Sequence, residues 1–446
     1  ITSLFLIRNR EREREREEET GLMKVSMDSC ATDGVASFSG LSWNLNEDIN
    51  RLNSESKITR LEISDLRIDV ELASIIVLLI QKHGGSITHL SLLDCTGHID
   101  VIVSVSLMTG LKSLEIGTPA LSVCAHSLGV GLLTSANLKR LVLHSGKKRY
   151  FTLVADSVAS LGQGLIGSKS LESLTLKRCR FGDSVAIRST CNALKSNSFL
   201  QHIVLTECLS GNGQTLPEGD FSLFLDALKD SQSLITLDTS INSCLGGTSV
   251  ADIIKFSSIR HLSLSHQMVD LSGMVGALGS TRSLESINLA FNRLDDGDMP
   301  FLAAAMSCNT SVKYVNLSGN NVSNTGISIL ASKLPSMRGL EHLVLTDNPF
   351  GGNGTSQLRR SLQLGLNYSL MHLELDVTVP HHASCMYFPD LNWMRRRFLF
   401  EENVAPALWP FLLERANRLF EEPNGSQRRA NIVFCILQKS TALFPF

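Results

Sequence analysis

The sequence has no run of eighteen apolar residues, about the length a membrane-spanning helix needs. One of its longest apolar stretches, Ile75–Ile80, suits a buried helix face instead. An excess of one charge is also missing. The 41 Lys and Arg against 43 Asp and Glu leave a net charge of −2, which argues against broad attachment to nucleic acid or an anionic membrane. Aromatic residues make up only 6% of the chain, as expected of an interior built from aliphatic slots of one size. Ten cysteines are too few for a dense disulfide framework, and none forms a CxxC pair with zinc spacing. The one Gly-Lys pair, Gly146-Lys147, lacks the upstream glycine of a phosphate-binding loop. No cofactor is therefore expected.

What the sequence does have is repetition. The pattern L-x-x-L-x-L-x-x-(N/C) begins at Ile58, Ile87, Leu111, Leu138, Leu171 and Leu200, then at Leu234, Ile259, Leu284, Val312, Leu340 and Leu370. The mean period is about 28 residues, within the range of strand-plus-helix repeats. The clearest copies are Leu284–Asn292, Val312–Asn320 and Leu340–Asn348, and the weakest lie around Leu111 to Leu138. Apolar residues two apart, such as Ile287 and Leu289, predict a short strand with one buried face. Helical spacing follows in each unit, as in Val322, Ile327, Leu330 and Leu334. Parallel strands inside a curve and helices outside it form a horseshoe solenoid.

The slot eight residues after each start holds Asn242, Asn292, Asn320 and Asn348, but Cys95, Cys179 and Cys208 elsewhere. A buried side chain there would satisfy backbone groups of the neighbouring repeat. Leu66, Pro119, Gly146, Gln267 and Thr378 depart from the pattern. A unit of this length and slot resembles the ribonuclease-inhibitor-like subfamily of leucine-rich repeats. That resemblance implies an α/β solenoid with strands on a concave face, helices on a convex face and a protein partner on the former.

The flanks differ from the repeat. Residues 1–22 contain an alternating Arg-Glu run and are expected to be read-through of untranslated sequence, with Met23 or Met27 as the true start. Residues 23–57 read as a linker or N-terminal cap, 58–376 as the repeat domain and 377–446 as a helical C-terminal cap. Within the last segment Pro380-His-His and Tyr387-Phe-Pro389 read as a break, with helices over 391–400, 406–420 and near 428–437. Its ending, from Asn392-Trp-Met-Arg-Arg-Arg to Ala-Leu-Phe-Pro-Phe, is similar to that of uncharacterised leucine-rich-repeat proteins of unicellular algae such as diatoms.

Candidate binding residues follow from the outward strand positions. His89, His202, His261, His342 and His372 each fall two residues after a repeat start. Lys177, Asn288, Asn316 and Glu374 occupy further outward positions, and Phe291 and Tyr314 are the expected aromatic anchors of a protein interface. No catalytic or metal-ligating constellation is suggested. Asp295-Asp-Gly-Asp298 lacks the ligand spacing of a calcium loop and reads as a helix cap. Asn-x-Ser/Thr sequons at Asn309, Asn316, Asn321, Asn353, Asn367 and Asn424 are matches expected of Asn- and Ser-rich loops. The expected function is a non-enzymatic, monomeric protein-interaction scaffold inside the cell, cytoplasmic rather than nuclear, with no nucleic acid or membrane partner. The alternative is a small-GTPase regulator similar to Ran GTPase-activating protein, from which the basic, apolar ending departs.

Overall fold

The computed structural model describes Val35–Ser39 and residues 58–393, apart from 118–120, 147–150, 182–183, 209–217, 230, 243–246, 364–366 and 368. The chain divides into two compact units, Ile1–Leu200 and Gln201–Phe446, each treated by itself. The helices expected over 406–420 and 428–437 lie outside the described residues.

In the first unit one parallel sheet runs in the order β1 (Val35–Ser39), β2 (Arg60–Ser64), β4 (His89–Leu93), β6 (Ser113–Gly117), β7 (Arg140–His144) and β9 (Ser173–Lys177). Two small parallel pairs lie beyond the main strands: β3 (Arg67–Ile68) with β5 (Thr96–Gly97), and β8 (Phe151–Leu153) with β10 (Cys179–Phe181). Between strands come α1 (Val70–His83), α2 (Ile99–Leu107), α3 (Leu121–Thr134) and α4 (Ala155–Gly167), and α5 (Ser184–Ser196) follows β10. Strand β1 pairs with β2 from within the segment expected to be a linker or cap, so among the described residues the ladder begins one strand before the first repeat start. The repeats from Leu111 and Leu138, weakest as sequence, carry full five-residue strands, because the ladder needs only their aliphatic residues.

Register explains the core. Leu61, Leu90, Leu114, Leu141 and Leu174 pair across the strands as one buried column, and Ile63, Leu92, Ile116, Leu143 and Leu176 as a second. Each buried aliphatic side chain stabilises the stack by about 1.5–3 kcal/mol before ordering entropy is subtracted. On the helical side, α3 and α4 approach closely because both carry glycines. A Cβ on Gly164 would lie 2.5 Å from the carbonyl oxygen of Gly129.

In the second unit the order is β11 (His202–Thr206), β12 (Thr236–Asp238), β13 (His261–Ser263), β14 (Ser286–Asn288), β15 (Tyr314–Asn316), β16 (His342–Val344) and β17 (His372–Glu374). The helices are α6 (Glu218–Leu228), α7 (Gly247–Phe256), α8 (Val275–Ser280), α9 (Met299–Cys308), α10 (Asn324–Lys333), α11 (Gly352–Gln363) and α12 (His382–Trp393). Leu237, Leu262, Ile287, Val315, Leu343 and Leu373 form the buried column. The helix expected over 391–400 begins earlier, at His382, and runs through Pro389. Proline removes one interior N–H, a loss offset by anchoring to the last repeat. Cys385 is buried, and Asn392 Nδ2 donates to the carbonyls of Leu370 at 2.7 Å and Asn367 at 3.2 Å.

The Asn/Cys slot does what its burial requires. Asn242, Asn292, Asn320 and Asn348 donate to the carbonyls of Leu205, Leu264, Leu289 and Leu317 in the preceding repeat, at 2.6, 2.9, 3.0 and 2.8 Å. Cys95 and Cys179 reach the equivalent carbonyls of Ile63 and Leu143 with longer thiol bonds of 3.4 and 3.5 Å. Burial pushes the Cys95 thiol up to about 11 and the Cys179 thiol up to about 12, so both are protonated donors. The residue before the slot takes a left-handed conformation at Asp65, Asp94, Arg178, Glu207, Ile241, His266, Phe291, Gly319 and Asp347.

A second buried asparagine set lies where helix turns into strand, and it went unseen in the sequence. Asn197, Asn309 and Asn367 donate to the carbonyls of Leu165, Leu278 and Leu334 at 2.6, 2.7 and 2.8 Å. Each also accepts the N–H of the next repeat start, Leu200, Val312 or Leu370. Asn309 and Asn367 are thus structural residues hidden inside two sequons. The signal was their shared place three residues before a repeat start.

Candidate protein-interaction face

The outward strand positions of the second unit follow from register alone. His202 pairs with Thr236, and Thr236 with His261. His261 pairs with Ser286, Ser286 with Tyr314, Tyr314 with His342, and His342 with His372. His202 is bonded to Thr236, Nδ1 to Oγ1, at 3.0 Å and is thereby separated from His261. Three rings do come together at the other end. Tyr314 meets His342 edge-on at 4.8 Å between centroids, and His342 lies 5.3 Å from His372. Glu374 closes the group, its Oε1 2.7 Å from His342 Nε2. Burial first, and then the Glu374 charge, raises the Tyr314 phenol above its ordinary value, so it stays a neutral donor.

Beside these rings runs a polar strip. Asn288 Nδ2 donates to Ser263 Oγ at 3.2 Å, which lies 2.9 Å from Ser240 Oγ, itself bonded to Asp238. Asn316 accepts the backbone N–H of Ser318 at 2.9 Å and is held in place. At the strand entrances the charges alternate and pair: Arg260 with Glu285 and Lys313 with Glu341, each at 3.5 Å. That rim is self-neutralised.

Phe291, the other expected anchor, has a different ring partner. It sits past the end of β14, in the left-handed corner, stacked on the His266 ring at 4.5 Å. A Cβ on Gly319 would strike the Phe291 ring at 2.2 Å, so the glycine of the next corner is the floor on which this ring lies. Counting from repeat starts could not separate strand from corner. His89 and Lys177 belong to the first unit, on β4 and at the end of β9. Asp295-Asp-Gly-Asp298 caps a helix, but the next one. Asp296 accepts the N–H groups of Ser323 and Gly326 at 2.8 and 2.9 Å, at the start of α10.

Among the described residues no group of three or more His, Cys, Asp and Glu is arranged to hold a metal ion. Nor is any described helix long and apolar enough to cross a membrane. The described cysteines are all buried except Cys308.

Among known families, the one described as Leucine Rich repeat matches residues 308–331. Of solved structures, the TLR13–ssRNA13 complex is similar over 74% of this chain and 42% of its own, with 17% identity and a TM-score of 0.44. An internalin (inlF) from Listeria monocytogenes is similar over 76% of this chain and 86% of its own, with 14% identity and a TM-score of 0.41. The actin-binding site 2 structure of leiomodin-1 covers 30% of this chain and 79% of its own, with 20% identity and a TM-score of 0.26. No curated protein matches the chain. The recurring strand, asparagine corner and helix, with the family match inside that array, give this chain the α/β solenoid architecture of leucine-rich repeats.

Proposed function

We propose that this protein is a non-enzymatic, monomeric scaffold of the ribonuclease-inhibitor-like kind that binds a protein partner on its concave strand face. The carrying observation is the ring column Tyr314, His342 and His372 with Glu374 at its edge. Leucine-rich repeats commonly serve protein–protein interaction, and extended faces of stacked repeats suit that task. Aromatic groups at the centre of such a face supply most of the binding energy, with hydrogen-bonding groups around them. Asn288, Asn316 and His261 extend the surface on neighbouring strands. A histidine bonded to a carboxylate is also part of a catalytic triad, but among the described residues no hydroxyl or thiol is bonded to His342.

The test compares the full chain with a Tyr314→Ala/His372→Ala variant. Each protein captured by the full chain is then titrated against both by calorimetry. Loss of two central rings costs about 2 kcal/mol or more, so at least a tenfold weaker complex is expected. Equal affinities would refute the strand-face reading. Stimulated GTP hydrolysis by a captured GTPase in a single-turnover assay would move the reading to the regulator of turnover.

A further inference from the structure

We infer that the strand face of the first unit is a separate binding surface for a carboxylate-rich segment of a protein partner, gripped by Lys112 and Arg140 with Arg60 and His89 beside them. In sequence the outward positions look mixed in sign. Register sorts them into rows. Arg60 pairs with His89, His89 with Ser113, and Ser113 with Arg140, so these groups line one end of four adjacent strands, with Lys112 next to Ser113. Arg140 stands beside Ser113, with Lys112 at the entrance of the same strand, so one acidic segment lying along the row meets both.

The acidic groups of the same face are already engaged. Glu62 takes the Nε of Arg60 at 2.7 Å. Glu115 is bonded to Ser91 at 3.3 Å and faces His144 Nε2 at 3.5 Å, and Glu172 takes Lys139 at 2.7 Å. Lys112 and Arg140 are exposed, and neither side chain is hydrogen-bonded or ion-paired to a carboxylate among the described residues. The His89 imidazole is held below the ordinary histidine value by burial and then by Arg60, Arg140 and Lys112.

Bulk charge cannot produce such binding, because the chain as a whole carries −2. Attraction to an acidic segment has to be local to this row. Arginine offers a planar fork for a carboxylate, and the flexible lysine supplies a second charge from the neighbouring strand. The surface lies within the first unit and does not depend on the ring column of the second.

The experiment uses the full chain and a fluorescein-labelled octaglutamate peptide, followed by anisotropy at low and moderate salt. Binding is expected, weakened by added salt because exposed charges are screened. Lys112→Glu/Arg140→Glu should weaken it by about tenfold or more, as for paired charges at an interface. The charge-matched control Arg188→Glu/Lys195→Glu, on α5, should leave it unchanged. Lys112→Gln/Arg140→Gln, checked for an unaltered thermal melt, separates loss of contact from loss of fold and should also weaken binding. No binding by the wild type, or equal weakening by the control pair, would overturn the proposal. So would tighter binding of a single-stranded oligothymidylate of equal charge, which would reassign the row to phosphates.

Discussion

The side-chain carbonyl of Asn320 accepts the backbone N–H of Asn292 at 2.9 Å, so one buried amide ties two repeats together at their corners. The same oxygen takes the N–H of Leu294 at 3.0 Å, while Nδ2 donates to the carbonyls of Leu289 and Leu317 at 3.0 and 2.8 Å. Asn320→Ala would leave several buried backbone groups without partners. The expected cost is about 3 kcal/mol, from unsatisfied buried groups at about 1–3 kcal/mol each. Asn320→Cys should fall between, since a thiol replaces the donor but not the acceptor. Urea unfolding monitored by circular dichroism measures the series, and equal stability of all three proteins would contradict the ladder.

Gln267 occupies the asparagine slot in the repeat from Ile259, and its longer side chain finds a different partner. Gln267 Nε2 donates to Thr239 Oγ1 at 3.0 Å, in a position where the other repeats carry Ile or Leu. The carbonyl of Thr239 accepts from Asn242 at 2.5 Å, as the Leu317 carbonyl does from Asn320. Thr239→Leu alone strands the buried glutamine amide and should cost about 2 kcal/mol. Thr239→Leu combined with Gln267→Asn restores the common pattern and should recover most of that loss. Strict additivity in this double-mutant cycle would show that the two residues do not interact.

The repeat was legible because its signal is redundant: the aliphatic columns, the corner asparagines and the helical spacing recur in step. Asn197, Asn309 and Asn367 were hidden because the repeat pattern runs forward from each start, whereas they lie three residues before the next one. The site was less legible still. Strand register brings Tyr314, His342, His372 and Glu374 together, and outward spacing alone had marked all four. The same spacing grouped Phe291 with Tyr314, although the left-handed turn at Phe291 carries its ring to His266 instead. A corner that reverses direction is invisible to a count of residues.

Asp296 gives the second unit a built-in acid sensitivity. Partial burial would raise its carboxyl, but the bonds from Ser323 and Gly326 outweigh this and hold it below the ordinary value of 3.8. A carboxyl lowered by folding contributes stability that is fully present above its unfolded value and lost as pH falls through the folded one. Asp296→Asn should therefore be less stable at pH 7, by about 0.5 kcal/mol for a negative charge lost at a helix N-terminus, and the gap should close below pH 3.8. A difference that stays constant from pH 7 to pH 3 would assign the effect to something other than the charge.

The close approach of α3 and α4 makes Gly164 sensitive to a single methyl group. A Cβ there would lie 2.5 Å from the Gly129 carbonyl oxygen and 2.7 Å from its Cα, and backbone cannot rotate away as a side chain does. Gly164→Ala would gain helix propensity of up to about 1 kcal/mol in an unobstructed site. Overpacking costs about 1–3 kcal/mol and should win here. Gly276→Ala, on a helix where the added methyl meets nothing within 4 Å, should show the gain without the penalty. Thermal melts of the two variants should thus move in opposite directions, and parallel shifts would rule out the contact.

Ile241 departs from local preference at an exposed site. Its φ is 60°, in the left-handed region, and its side chain is 42% exposed. The equivalent corners are filled by Asp, Arg, Glu, His, Phe or Gly, whereas a β-branched residue clashes with its own backbone there. The corner persists because the Ile241 N–H is tied to the Ser265 carbonyl at 2.9 Å, as Phe291 is tied to Ser318 and Gly319 to Thr346. The left-handed penalty is about 1–2 kcal/mol, and a side chain 42% exposed offsets it only in part. Ile241→Asn should therefore raise stability by about 1 kcal/mol, seen as a higher urea midpoint at unchanged slope. Ile241→Gly should gain less, because glycine also frees the unfolded chain. A lower midpoint for both would mean that the Ile241 side chain contributes packing greater than its exposure implies.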